Sequence, residues 1–571
     1  MVAIGLLAAC GRGEDDPVDT GQNVAQQQPS QGGANVTPPG GNQAPTLPDG
    51  INWDEHVTFT WWLPPTLANE FYISYSENPV AAYLQHRFNV TFNFEQPVMG
   101  TESDSMALMM GTGRYTDAIH LAVYTGSVSR LYEEGIIINI AQWLDYMPNL
   151  RNIIETRPEI ARGIFDDDGR ILTLPDFGDT IQTGRWTGMF YRHDILVTMT
   201  DDNVQFPSGN YFPITIADWE YMLPLMLEYF QQAGFVDYAP LIVPAMGMFH
   251  YGELMASFGA THHFYVRNGA VQAGLIQPGM FEYLSTMRDW FERGWIHRDF
   301  AAQTMDMFFM PNSALVFSGA AGIFTGMNGM HAGDRLSAPE IGFHADVRHL
   351  PSPKAEGITH QDMFFGPSRG YFNTMNSAIY VGNPDIARFL TVMDFLYSEE
   401  GGMLRTMGLR GDQIPPGYNI MTRMGMPDGT HWFDSDGNMT VHLYVTDGTI
   451  IHSVFNGDRL PGLGFPAIHQ PFYDEETIRG NQIWGAHLMD SRVHPLPGTL
   501  SPTADEMARI AANDALINDH RNQMLPMFIM GTAPLNEATW AEFINQLTAF
   551  GIVENREIWQ TVYDRYAARG R

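Results

Sequence analysis

Two residue types are nearly missing from the chain. Cysteine occurs once, at Cys10, and lysine once, at Lys354, in 571 residues. A single cysteine excludes an intrachain disulfide and any thiolate zinc site. With so little lysine, basic residues total 31 against 64 Asp and Glu, a formal net charge of −33. That balance excludes a phosphate backbone as partner, since nucleic acid needs clustered Lys and Arg. It also disfavours electrostatic binding to an anionic membrane surface. It suits a protein kept dispersed by self-repulsion. The lysine shortage reads as genome composition rather than function. No dinucleotide or phosphate-loop fingerprint appears, and the 19 histidines never take H-E-x-x-H spacing. His262 and His263 are adjacent, would face opposite sides of a strand, and read as a surface pair rather than metal ligands. No metal and no cofactor are expected. Beyond the first residues, nothing approaches about 18 uninterrupted apolar positions, so no membrane-spanning helix is expected.

What the chain does have begins at its start. MVAIGLLAAC is an apolar run, then small residues, then cysteine. Leu7-Ala8-Ala9-Cys10 has the shape of a bacterial lipobox, in which the Cys10 thiol receives a diacylglyceryl group. No basic stretch precedes it, which leaves an upstream start codon open. Residues 11–50 are a Gly/Pro/Gln/Asn tract with almost nothing to bury, read as a disordered tether. Residues 1–10 are therefore read as a lipoprotein signal segment.

After the tether, strands and helices alternate. Apolar residues make up 44% and aromatics 12%, enough for a large interior, and the length allows roughly two to four domains. Residues 56–61, 89–94 and 117–123 read as strands, with a helix over 78–88 between the first two. This β-α-β rhythm implies an α/β domain with a largely parallel sheet. Val57, Phe59 and Trp61 share one face by the period of two. Trp62 falls on the other face, at the carboxyl end of the strand, where open α/β sheets bind ligands. Leu63-Pro64-Pro65 ends the strand and stiffens the loop. Trp61 is thus expected in the core and Trp62 as a stacking platform for ligand.

Asp166-Asp167-Asp168-Gly169 suggests a cation site, but Asp-Gly between apolar runs is first a turn, and no calcium-loop ligand ladder follows. Asp434-Ser435-Asp436-Gly437 is read the same way. Thr215 with Asp218 forms a variant capping box. Met280, Leu284, Met287 and Phe291 form one stripe ended by Gly294. Asn383-Pro384 reads as a cap with an N1 proline, opening a helix that stops at Gly401-Gly402. Trp540, Phe543, Ile544 and Leu547, then Ile558, Val562 and Tyr566, trace two more helices. These stripes are read as core.

Aromatics recur in loop-like places, where rings can stack on sugar C–H faces while polar groups meet hydroxyls. The candidate ligand-binding set is Trp62, Tyr124, Trp186, Arg192, Tyr251, Tyr371, His431 and Trp432. No catalytic residues are assigned. With 64 carboxylates, a glycosidase pair is not excluded by counting.

Several short motifs then occur in order. Leu131-Tyr132-Glu133-Glu134-Gly135 precedes Met147-Pro148-Asn149-Leu150. Asp168-Gly169-Arg170-Ile171 leads to Leu174-Pro175. Tyr191-Arg192-His193-Asp194 and Pro213-Ile214-Thr215 to Trp219 follow. Met527 to Thr532 and Tyr563-Asp564-Arg565-Tyr566 close the series. The series resembles the extracellular solute-binding lipoproteins of sugar-importing ABC transporters (solute-binding family 1), in the branch that includes alginate-binding proteins. The resemblance covers about residues 50–570. It implies a periplasmic-binding-protein-like α/β fold of type II: two α/β lobes with a ligand cleft at the hinge. The lobes are placed at 51–172 with 370–415, and 176–365 with 416–571. It further implies a non-enzymatic, monomeric carbohydrate binder, of oligosaccharides in particular, that closes on its ligand and docks on ABC permease subunits. The lipid at Cys10 would hold it on the outer face of the cytoplasmic membrane. That branch often carries a calcium loop after the Trp219 helix; here 229–238 has one carboxylate, so no calcium is expected. Where the branch often has G-x-E-G, this chain has Gly408-Leu409-Arg410-Gly411. The rival readings are a secreted glycan-active enzyme, or the same fold binding a peptide or serving as a signalling co-receptor.

Overall fold

Strand alternation and helical stripes assemble around two separate cores. The computed structural model describes residues 51–65, 72–182, 187–244, 253–303, 310–328, 331–337, 344–364, 370–372, 377–435, 438–442, 459–465, 473–488 and 491–569, with single positions 455, 457 and 468.

In the first lobe, β1 (Val57–Trp62) runs parallel to β2 (Val90–Glu95) and β3 (Ala118–His120). A later strand, β12 (Ser377–Ile379), closes the edge antiparallel to β3, giving the order β12-β3-β1-β2. The third strand is shorter than the sequence suggests, because the chain turns where Tyr124 N–H donates to Leu121 O at 3.0 Å. The first helix, α1 (Pro79–Phe88), starts where the Asn78 side chain accepts from the N–H of Val80 and Ala81. Pro79 sits at N1, where a missing N–H costs nothing. The buried Val80, Leu84 and Phe88 join the core with Phe59, Trp61 and Phe92.

The helix expected from Asn383 onwards is two helices. The first, α8 (Ile386–Phe395), starts at Asp385, whose carboxylate accepts from Arg388 N–H, while Asn383 accepts from Asp385 N–H. An acidic cap complements the helix dipole, so it prevails over the Asn-Pro pair. Its Phe389 ring lies 5.2 Å from Phe59 and 5.4 Å from Trp61. The second, α9 (Glu399–Met407), is capped by Ser398 and runs straight through Gly401 and Gly402. These glycines are a close approach rather than a stop: a Cβ on Gly401 would lie 1.9 Å from Phe395 O. The opposite face of the sheet is covered by α2 (Glu102–Thr112), whose Met106 and Met109 pack on Trp62 and Ile119. Two more helices flank this lobe, α4 (Pro148–Thr156) and α5 (Pro158–Ile164), with α3 (Val128–Glu133) preceding them.

The second lobe is built on β5 (Thr187–Arg192), β6 (Ala239–Leu241), β9 (Ala321–Met327) and β10 (Val347–Leu350), in the order β10-β5-β9-β6. The expected Thr215–Asp218 capping box opens α6 (Ile216–Gln232). The Met280–Met287 stripe is buried on α7 (Pro278–Glu292), and Gly294 follows it at φ +73°. Trp219 and Trp290 stack at 6.0 Å between these helices. A hairpin of β7 (Phe264–Arg267) and β8 (Ala270–Ala273) pairs with β16 (Val493–Pro495). The C-terminal helices α10 (Ala504–Ile529), α11 (Glu537–Ala549) and α12 (Ile552–Ala568) add Ile517, Phe528, Phe543, Leu547 and Ile552 to this core.

A three-stranded sheet runs between the lobes: β4 (Asp176–Gln182) lies between β11 (Gly370–Phe372) and β15 (Gly462–Gly464). It is rooted in the first core by Phe177. A buried pair fixes the root: Arg405 meets Asp176 at 2.5 Å and donates to Leu460 O at 2.7 Å. The Tyr397 hydroxyl donates to Pro175 O at 2.6 Å. Leu460 and Leu463 pack with the first core, and a small hairpin of β13 (His431–Phe433) and β14 (Met439–Val441) packs on Met403 and Met407. The tip of that hairpin, Asp436 and Gly437, lies outside the described residues. The Asp166–Gly169 segment is the expected turn: Gly169 has φ +73°, and the Asp166 carboxylate accepts from the N–H of Asp168 and Arg170.

Candidate functional site

The two tryptophans divide between the faces of the first sheet as the period of two requires. Trp61 is fully buried among Phe92, Phe94 and Phe389. Trp62 lies on the other face and is also covered, at 3% exposure. Its indole N–H donates to Ser105 Oγ at 3.1 Å, beneath α2. In this arrangement its ring has no open face for a sugar.

The carboxyl edge of the same sheet carries two polar groups that sequence reasoning passes over. His120 ends β3 and is fully buried. Ala122 N–H points to its Nδ1 at 3.3 Å, which assigns the ring proton to Nε2. That Nε2 has no partner among the described residues. Ser377 pairs directly with His120 across the β3–β12 ladder, so the two side chains share a face, and Ser377 Oγ is equally without a partner. Burial, then the Arg459 guanidinium, holds the imidazole down at about 3, so it stays neutral. Each orphaned buried group costs about 1–3 kcal/mol. A fold keeps such groups where something else satisfies them. The one sequence signal for His120 is a polar residue inside the apolar run 118–123.

Next to this edge, a cavity of about 290 Å³ opens between the lobes. The first lobe supplies Tyr115, Tyr124, Arg130 and Glu134; the second supplies Met507 and Ala508 from α10. Tyr124 also packs against the cluster that holds Trp62. Burial and then Glu134 raise the Tyr124 hydroxyl above its ordinary pKa, so it remains a neutral donor. Arg130 and Glu134 pair at 2.7 Å along α3. The groove therefore offers rings, hydroxyls and one paired guanidinium, with opposite walls from different lobes.

The other candidates scatter. Arg192 is buried at the end of β5, and its guanidinium grips Asp194 at 2.7 Å and Gly319 O at 3.0 Å. It organises the second lobe rather than facing the groove. His431 is buried against Thr430 Oγ1 at 3.1 Å, and burial holds it at about 4. Its neighbour Trp432 is 41% exposed on the β13–β14 hairpin. Trp186 and Tyr251 lie outside the described residues; Tyr371 belongs to β11, with its side chain outside them. One pattern bears on hydrolysis: Gly366-Pro367-Ser368-Arg369-Gly370 spells G-x-S-x-G. A nucleophile elbow turns from strand into helix. Here the chain enters strand β11 at Gly370, so the context does not match. Among the described residues no three His, Cys, Asp or Glu side chains come together as a metal site. Nor is any helix among them long and apolar enough to cross a membrane.

No family model matches the chain, and no curated protein does. Solved structures do. A human-milk-oligosaccharide-binding, ABC-transporter-associated solute-binding protein from Bifidobacterium longum infantis aligns over 90% of this chain and 99% of its own, with TM-score 0.69 at 16% identity. The alginate-binding protein AlgQ2 aligns over 90% and 98%, with TM-score 0.65 at 16% identity. The Streptococcus pneumoniae ABC-transporter substrate-binding protein FusA, solved with kestose, aligns over 90% and 99%, with TM-score 0.66 at 15% identity. The chain thus has the fold of two-lobed ABC-transporter solute-binding proteins, as the motif series implies.

Proposed function

We propose that this chain is the extracellular substrate-binding subunit of an ABC importer and captures an oligosaccharide between its lobes. The observation that carries the reading is the interlobe groove, where Tyr124 and Arg130 of one lobe stand across from Met507 and Ala508 of the other. Supporting it, structures of the same fold were solved as a milk-oligosaccharide-binding protein and with kestose bound. Neutral hydrogen-bonding groups beside a ring suit sugar hydroxyls and C–H faces. Because the walls belong to different lobes, a ligand touching both favours the closed form, and one touching a single wall shifts nothing. The Cys10 diacylglyceryl anchor and the 11–50 tether would hold the lobes outside the membrane, beside the permease.

The test is calorimetry and thermal shift against a panel of neutral and acidic oligosaccharides and of peptides, with product analysis of each mixture. At least one oligosaccharide should bind without turnover. Tyr124→Ala, which removes a ring and a hydroxyl from the groove wall, should weaken that binding roughly tenfold. Turnover, or binding of peptides alone, overturns the reading.

A further inference from the structure

We infer that the second lobe holds a separate binding site for an oxyanion, with Arg521 and the imidazole of His262 as its donors. The site is a cavity of about 370 Å³ between the segment before β7, the end of β8 and the middle of α10. All its walls come from the second lobe, so it is not part of the groove, and it stands whether or not the groove binds sugar.

Its floor is apolar and buried, with Leu275 and Ile517. Its rim is basic. Arg521 is half-buried, and its guanidinium donates only to the side-chain oxygen of Asn522, at 3.0 and 2.9 Å. Burial pulls its pKa below the ordinary arginine value, with Asp514 the carboxylate that pulls back. Asp514 is itself engaged, accepting from Asn555 Nδ2 at 2.8 Å, and burial raises its pKa. Among the described residues, the remaining donors of Arg521 meet no acceptor. His262 and His263 precede β7 instead of lying within it, so their rings sit side by side, 3.7 Å apart. His262 Nδ1 is buried and has no partner. Burial, then His263 and Arg521, hold that imidazole at about 2. It is therefore neutral and free to place its proton on Nδ1.

The arrangement is built, not incidental. Gly274 N–H donates to His263 O at 3.0 Å, and His263 N–H donates to Thr261 Oγ1 at 3.3 Å. A Cβ on Gly274 would lie 2.1 Å from Thr261 O and 2.7 Å from His263 O. Glycine is what lets the two backbones meet and fixes the imidazoles in place before any ligand arrives. Asp514 offsets only part of the burial of this guanidinium, and an oxyanion in the cavity would offset the rest. The guanidinium fork matches a carboxylate, sulfate or phosphate with two parallel bonds. The volume admits a free inorganic oxyanion or a small acid such as a uronic acid.

Sodium sulfate, phosphate and glucuronate, each titrated at constant ionic strength in chloride, distinguish the sources. Calorimetry reads affinity, and the ring carbon-bound protons of His262 report the site by NMR. At least one probe should bind saturably, shift those resonances and raise the His262 pKa. Arg521→Gln should weaken it tenfold or more. Asn518→Asp, which adds a carboxylate to the rim without touching Arg521, should do the same, while both variants keep the oligosaccharide response of the parent. The inference is overturned if no probe exceeds chloride, or if both variants retain parental anion affinity.

Discussion

At the scale of single residues, Trp62 separates direction from burial. Alternation along β1 correctly places it opposite Trp61. What alternation cannot supply is the lid: α2 lies over that face, and its Met106 and Met109 belong to a helix some forty residues on. Trp62→Ala should therefore cost about 3–5 kcal/mol in urea unfolding, as Trp61→Ala should; a surface residue would lose little. His120 was legible only as an oddity, because its partner Ser377 arrives from more than 250 positions away.

Buried imidazoles also set an acid limit. His120, His262, His349 and His431 are held at about 3, 2, 4 and 4, below the ordinary 6.5, chiefly by burial. Their contribution is complete above pH 6.5 and is lost as pH falls towards the folded values, since unfolding frees each ring to take a proton. Asp394 acts the other way: burial raises its carboxyl to about 6 from 3.8, so near pH 5 the folded state holds a proton that unfolding releases. These five groups together should thus make unfolding near pH 5 take up roughly three protons, and the lowered His193 and His520 add to that uptake. The slope of unfolding free energy with pH measures this, and a flat or reversed slope overturns it.

At the scale of elements, helix existence was readable and helix ends were not. The stripe that builds α8 is plain in the sequence, whereas its stop was assigned to Gly401-Gly402. Local propensity reads a glycine pair as a break; in the fold the break comes earlier, at Leu396–Ser398, and the glycines lie in the first turn of α9, with Gly401 against the Phe395 backbone. This reverses the usual sign of a substitution. Glycine to alanine inside a helix ordinarily stabilises by up to about 1 kcal/mol. Gly401→Ala should instead destabilise by roughly 2 kcal/mol or more, because the new methyl meets the Phe395 carbonyl. Thermal melting of the variant decides the sign. The β4–β11–β15 connection was not legible at all, since three strands of three to seven residues from distant segments carry little pattern.

At the scale of the whole molecule, the lobes are also joined away from that sheet. Asp167, the middle residue of the acidic turn, accepts from Arg565 Nε at 2.7 Å and Arg569 Nε at 2.8 Å, both on or just past α12 of the other lobe. Arg569 further donates to Phe165 O and Thr499 O, and Arg565 to Glu506. The turn reading of Asp166–Gly169 was right and incomplete: Asp166 shapes the turn, and Asp167 reaches across. Asp167→Ala should let the ligand-free lobes separate, seen as a larger radius of gyration in X-ray scattering. The parent should approach that value as salt rises. An unchanged scattering profile would show the contact to be passive.

The stacked Trp219 and Trp290 pair has an optical side. Two indoles 6.0 Å apart and inclined by 20° couple their electronic transitions, so the second lobe carries a near-ultraviolet dichroism of its own. The first lobe's Trp53, Trp61, Trp62 and Trp143 form no such indole pair among the described residues. Unfolding of one lobe can therefore be followed by dichroism while total fluorescence follows both, with no label attached.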